Sequence, residues 1–269
     1  TNRRSFLKTT AIASESILEK VSKGETLNET EKQEWKKVNQ RFETLCDTAF
    51  TSKVPVMIDA EDSWIQPAID KLTLDMMKKY NKERVFVLNT YQMYKKDSLG
   101  ILQENLKYAQ EKGFKIGAKL VRGAYMEKER KRAAEKGYPD PINDTKENTD
   151  RDYNEAVKLC MANLEQVLVI VATHNEESSK LGAELLQKTG NKTNNPTVWF
   201  SQLLGMCDHI SFTLSAQGFN VAKYVPYGPV KAVTPYLIRR AEENSSMEGQ
   251  AKKEIALIKT ELAERKRNR

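Results

Sequence analysis

The chain has 269 residues, enough for one large domain or two small ones, and 39 % of them are hydrophobic. No apolar run approaches the roughly 20 residues of a membrane span and no secretory signal is visible, which reads as a soluble chain that keeps the option of peripheral membrane attachment. The net charge is +7, but lysines alternate with glutamates, as in EKERKRAAEKG (127–137), so the basic excess points to solvated helix faces rather than a nucleic-acid surface.

Seven short runs rich in aliphatic and β-branched residues read as strands. In chain order they are SFLKTTAIA (5–13), VPVMIDA (54–60), RVFVLNTY (84–91), KIGAKLV (115–121), VLVIVATH (167–174), TVWFSQL (197–203) and VAKYVPYG (221–228). Helical patterns lie between them. The polar stretch from Asn28 to Phe50 reads as a long exposed crossover helix. Apolar spacings of three and four recur at Leu99, Leu102, Leu106 and Ala109, and again at Tyr153, Ala156, Val157, Cys160 and Leu164. The segment GYPDPINDTKENTD (137–150), with its prolines and turn formers, reads as a surface loop. The tail ERKRNR (264–269) is the one compact basic block, suited to a frayed terminus or to an anionic membrane surface.

Strands alternating with helices imply a parallel sheet with crossover helices, either doubly wound or closed into a barrel. Polar residues decide between them: Asp59, Asn89, Lys119 with Arg122, His174 and Gln202 each fall at or just past the C-terminal end of a strand. A barrel gathers those ends into one ring, whereas an open sheet spreads them along an edge. Seven strands leave one missing from an eight-stranded closure.

Several chemistries have no visible machinery. There is no GxGxxG, no P-loop, no GxSxG and no HExxH, and Cys46, Cys160 and Cys207 lie far apart with no CxxC spacing. Two histidines cannot build a multi-histidine zinc site. Asp59 ends an apolar strand, with Asp62 or Ser63 the better candidates for capping the next helix. Lys8 and Lys119 each interrupt an apolar strand. Gly123 and Ala124 are small residues that let a ligand approach the backbone. What remains is a cationic barrel mouth suited to a phosphorylated cofactor and a small carboxylate; a non-catalytic barrel that binds such a carboxylate is the rival reading.

The segments MIDAEDSW, AKLVRGAYMEKER, ATHNEES, LLGMCDHISF and KYVPYGPVKAVTPYLIRRAEEN together resemble the proline dehydrogenase family, in order and spacing, from about Phe6 to Ser246. They look like the monofunctional, eukaryotic-type members. The resemblance implies one domain over residues 1–269, a distorted (βα)8 TIM-like barrel with FAD across its C-terminal mouth and a final helix over the top, residues from about 247 forming a basic helix or tail. The family's first strand precedes the one matching FLKTTAI and is absent from this chain. By motif, Lys8, Arg239 and Arg240 would bind the proline carboxylate, and Tyr224 would pack beside the ring, as in the branch that prefers proline over hydroxyproline. Asp59 and Lys119 would be the catalytic pair. FAD would contact Ala60, Asn89, Lys119, Arg122, Gly123, Ala124, Thr173, His174 and Gln202, with no metal. Two departures from many bacterial members stand out: KLVRGAY replaces RLVKGAY, and Asn89 replaces glutamine. The implied reaction passes hydride from proline C5 to flavin N5 and electrons to a membrane quinone. That places the protein at the inner membrane, on the cytoplasmic side in a bacterium or the matrix side in a mitochondrion.

Overall fold

The computed structural model describes residues 5–7, 13–226, 228–231, 233, 234, 237, 238, 256, 259, 260 and 262–267. All seven expected strands are present: β1 (Ser5–Leu7), β2 (Val56–Ile58), β3 (Val87–Gln92), β4 (Ile116–Val121), β5 (Val167–Ala172), β6 (Val198–Leu203) and β7 (Val221–Tyr224). They form one sheet in chain order, every neighbouring pair parallel. Sequential parallel order requires each crossover to return on the same side, and the helices do so. They are α1 (Glu15–Ser22), α2 (Glu29–Thr51), α3 (Gln66–Tyr80), α4 (Ser98–Lys112), α5 (Met126–Lys136), α6 (Lys146–Met161), α7 (Glu176–Lys188) and α8 (Asp208–Ala216).

Local chemistry sets the helix ends. Asn28 and Glu31 form a reciprocal capping box at the start of α2, whose amphipathic face buries Val38, Phe42 and Cys46. Thr145 caps α6 by accepting from Asn148 N at 3.2 Å, so the expected loop of 137–150 ends five residues early. Its remaining part is pinned by an antiparallel bridge between Lys95 and Ile142. Neither Asp62 nor Ser63 caps α3, contrary to the sequence reading; the N-cap position is Ile65, and both polar side chains are drawn instead towards α5.

Side chains in register on parallel strands share a face, and each strand alternates between two faces. Val87, Tyr91, Ile116, Ala118, Val169, Val171, Val198 and Phe200 face the helices and build the main core. Met57, Leu88, Leu168 and Ile170, with Trp199 packed on them, form a second, smaller apolar cluster on the opposite face. Gly117 lies where β4 meets this second cluster, and a Cβ there would stand 2.6 Å from the Leu88 side chain. Two buried faces explain why the strands read as continuous apolar runs.

Candidate functional site

The inner face of the sheet carries the charged pair. Lys119 is in register with Thr90 and Ile170, and Asp59 follows Ile58 at the end of β2. Lys119 Nζ donates to Asp59 Oδ1 at 2.9 Å. Their side chains are 16 % and 33 % exposed, so the pair is sheltered but reachable. Tyr224, in register with Leu203, falls on the same face by the alternation of β6 and β7.

Immediately beyond β4 the backbone itself becomes a surface. Gly123 has φ +132°, and an added Cβ would stand 2.4 Å from the Tyr94 ring. Glycine is therefore required twice over, by conformation and by contact. Gly123 and Ala124 are both exposed, while Ala60, after Asp59, is half-buried. Backbone without bulky side chains next to a lysine is a fitting cradle for a flat, anionic cofactor, and nothing in this donor set conflicts with FAD.

The other expected cofactor residues are distributed differently. Arg122 is held on three sides: Nε donates to Asp150 Oδ1 at 2.7 Å, Nη1 to Thr173 Oγ1 at 2.7 Å and Nη2 to Ser178 Oγ at 3.0 Å. Its guanidinium also stacks 4.3 Å from the Tyr153 ring centroid. Such a fork ties the end of β4 to α6 and α7. Burial pushes the Asp150 carboxyl up, but its bonds to Lys146 and Arg122 outweigh this and hold it below the usual carboxylate range.

Asn89 and Gln202 are each 2 % exposed. Both lie on the helix-facing side of the sheet, away from Lys119. Asn89 Nδ2 donates to Asp70 Oδ1 of α3 at 2.7 Å. Gln202 accepts from Ser211 Oγ of α8 at 2.8 Å and donates to the Thr173 carbonyl at 3.2 Å. Thr173 Oγ1 also accepts from Asn175 N at 3.0 Å. His174 Nε2 accepts from Leu203 N at 3.1 Å, which in a neutral imidazole leaves the proton on Nδ1. Lys8, Arg239 and Arg240, the expected carboxylate-binding cations, lie outside the described residues.

Sequence reasoning did not single out the residues that fasten these loops together. Glu129 in the first turn of α5 is 0 % exposed and accepts from Ser63 N at 2.6 Å and Ser63 Oγ at 2.5 Å. Lys128 Nζ donates to Asp62 Oδ2 at 2.7 Å, and the Arg132 guanidinium stacks 4.1 Å from Trp64. Lys223 of β7 reaches the Met206 carbonyl at 2.7 Å and Asp208 Oδ1 at 2.7 Å, fixing the turn into α8. The clue available in sequence was the acid-base alternation of EKERKR, which reads as solvent-facing.

The chain is similar to known proteins in sequence and in fold. Human mitochondrial proline dehydrogenase 1 is 43 % identical over 242 residues, 89 % of this chain and 40 % of that protein. The Drosophila melanogaster counterpart is 39 % identical over 245 residues, covering 87 % of this chain and 36 % of its own length. Hydroxyproline dehydrogenase from Xenopus laevis is 41 % identical over 243 residues, 89 % of this chain and 52 % of that protein. The chain thus spans roughly two fifths to half the length of these relatives. Among solved structures, proline utilization A from Bdellovibrio bacteriovorus, inactivated by N-propargylglycine, superposes with a TM-score of 0.79 at 23 % identity. That match covers 90 % of this chain and 24 % of the other, and shows a common curled, parallel α/β fold. The model of the proline dehydrogenase family matches residues 2–253, and with relatives near 40 % identity over most of its length the chain belongs to the proline dehydrogenase family.

Proposed function

We propose that this chain carries the catalytic barrel of an FAD-dependent proline dehydrogenase. It oxidises L-proline to pyrroline-5-carboxylate as the first step of proline catabolism and passes electrons to a quinone at a membrane. The observation that carries the reading is the sheltered Lys119–Asp59 pair on the strand side of the Gly123–Ala124 turn, whose backbone carries no bulky side chain, within a family-matched parallel sheet. In this reading the sheet is part of a distorted (βα)8 barrel, and the relatives' mitochondrial names favour the matrix face of the inner membrane.

FAD, when bound, supplies the acceptor for the hydride that leaves proline C5. Lys119, Gly123, Ala124, Ala60, Thr173 and His174 hold it, whereas Asn89, Arg122 and Gln202 act from behind, fixing the strand ends that carry those residues. Asp59 orients the Lys119 ammonium and balances its charge. Lys8, Arg239 and Arg240 clamp the substrate carboxylate, two-point guanidinium contacts setting the orientation of the ring. Tyr224 bounds the ring pocket and disfavours a hydroxylated ring. The amine proton is assigned to no side chain.

The decisive assay is reduction of an artificial acceptor by the full-length protein with L-proline and with hydroxyproline. Bound flavin and a higher kcat/KM for proline support the reading. A preference for hydroxyproline moves the protein to the activity named for the Xenopus relative. A protein that binds no flavin and oxidises neither substrate is a carboxylate-binding barrel instead.

A further inference from the structure

The loop after β2 and the helix after β4 meet through three consecutive residues. Asp62 is held by Lys128, Ser63 by Glu129, and Trp64 by the Arg132 guanidinium on its ring. Trp64 is fixed from a second side as well, donating from Nε1 to Glu15 Oε1 at 2.9 Å. The central contact is the most demanding, because a fully buried carboxylate is matched to two donors of one residue, a backbone N–H and a hydroxyl.

This junction lies just beyond the Lys119–Asp59 pair. Asp59 is four residues before Ser63 in the same loop, and Lys119 is ten residues before Glu129, on the strand that feeds the Gly123 loop. The two loops belong to strands that are not neighbours; β3 lies between them. Among the described residues, this junction adds to the Lys119–Asp59 bond a second direct attachment between their ends across the intervening strand.

We infer that Glu129 is a positioning residue for the reaction, fastening Ser63 so that Asp59 meets Lys119 in a fixed orientation. The inference rests on the proline-oxidising reading of the site. Glu129 acts through Asp59 and Lys119 and touches no reacting atom. Its role is hydrogen-bond geometry rather than charge. Glutamine keeps an oxygen for Ser63 N and offers an amide N–H to Ser63 Oγ, whereas alanine takes the partner from a half-buried N–H.

The test uses the full-length flavin-loaded protein and the variants E129A, E129Q, D59N and E129A/D59N. The expected result is a kcat for proline more than threefold lower in E129A with KM changed less than threefold, and E129Q restored above that threshold. The double variant should be within twofold of D59N, since residues acting through one another are not additive. A kcat for E129A within threefold of the parent, an E129Q as slow as E129A, or multiplicative effects in the double variant overturns the inference. In flavin-free protein, E129A should speed amide exchange at 119–124 more than threefold while α2 exchanges as before; a uniform rise across both is general destabilisation and also overturns it. If E129A does not fold, S63A replaces it under the same thresholds. A parent protein that does not oxidise proline defeats the functional reading, and the exchange measurement then decides the positioning role alone.

Discussion

Lys119 and Asp59 make their 2.9 Å bond across a strand rather than between neighbours. Adjacent strands lie about 4.8 Å apart, so β2 and β4 are separated by roughly twice that distance, and a lysine stem is the right length to cross it. Thr90 stands between them, small, its hydroxyl turned to donate to the Ile58 carbonyl at 2.7 Å. We expect D59N to lower kcat/KM for proline at least tenfold while flavin stays bound. Thr90→Phe, which fills the crossing, should do the same; Thr90→Ser should stay within a few-fold of the parent. Steady-state kinetics with absorbance of the bound flavin checks all three.

Gly123 offers a separate handle. Gly123→Ala places a methyl against the Tyr94 ring at a backbone conformation that L-residues rarely adopt. A destabilisation of about 1–3 kcal/mol is expected, with loss of flavin affinity. Tyr94 is itself buried, so Tyr94→Ala is destabilising on its own; in that background the further cost of Gly123→Ala should shrink to its conformational part, as a double-mutant cycle in thermal or urea unfolding would show.

Arg122 should behave as a frame residue. Arg122→Ala leaves Asp150, Thr173 and Ser178 without their shared donor and should cost about 3–5 kcal/mol, as when one partner of a sheltered ion pair is removed. Arg122→Lys supplies one point charge for a three-way fork and should recover less than half. Chemical denaturation gives the comparison.

Two carboxylates should push stability in opposite directions with pH. The folded pKa of Asp150 is depressed, so its contribution is present above its unfolded value near 3.9 and is lost as pH falls through the lower folded value. Burial pushes the Asp70 carboxyl up, despite bonds from Asn89 and Gln66. The folded state therefore favours the protonated acid, and stability falls as pH rises from about 4 through the raised folded value. D70N keeps an acceptor for both amides without the charge. It should be more stable than the parent at neutral pH, with the advantage shrinking towards pH 4. D150N should show the reverse, a deficit at neutral pH that narrows under acid. Urea unfolding across that range checks both signs.

Burial pushes the Cys46 and Cys160 thiols up to about 12. Neither should react with an alkylating reagent at pH 8 in the native protein, and both should react on unfolding, as peptide mass spectrometry would record.

The strands were legible because both sheet faces are buried, leaving seven apolar runs bounded by turn residues. The same property hid which side each polar residue faces. Lys119 and Asn89 look alike in sequence, a polar residue near a strand end, yet one meets Asp59 and the other turns to Asp70 behind the sheet. In a half-exposed strand the alternation would have separated them; here it carries no signal. Glu129 was hidden for another reason. Its partner Ser63 lies 66 residues away, and no local pattern marks a glutamate in a charged helix as the buried one.

The alternation of β4 has a consequence for how such a site can change over evolution. Shifting that strand by a single residue would present Ala118 or Leu120 where Lys119 now stands and drive the ammonium into the layer of helices. Insertions and deletions are therefore barred from the strand and confined to the turns at its ends. New specificity in this scaffold must arrive by point replacement on the inner face or by lengthening of the loops above it.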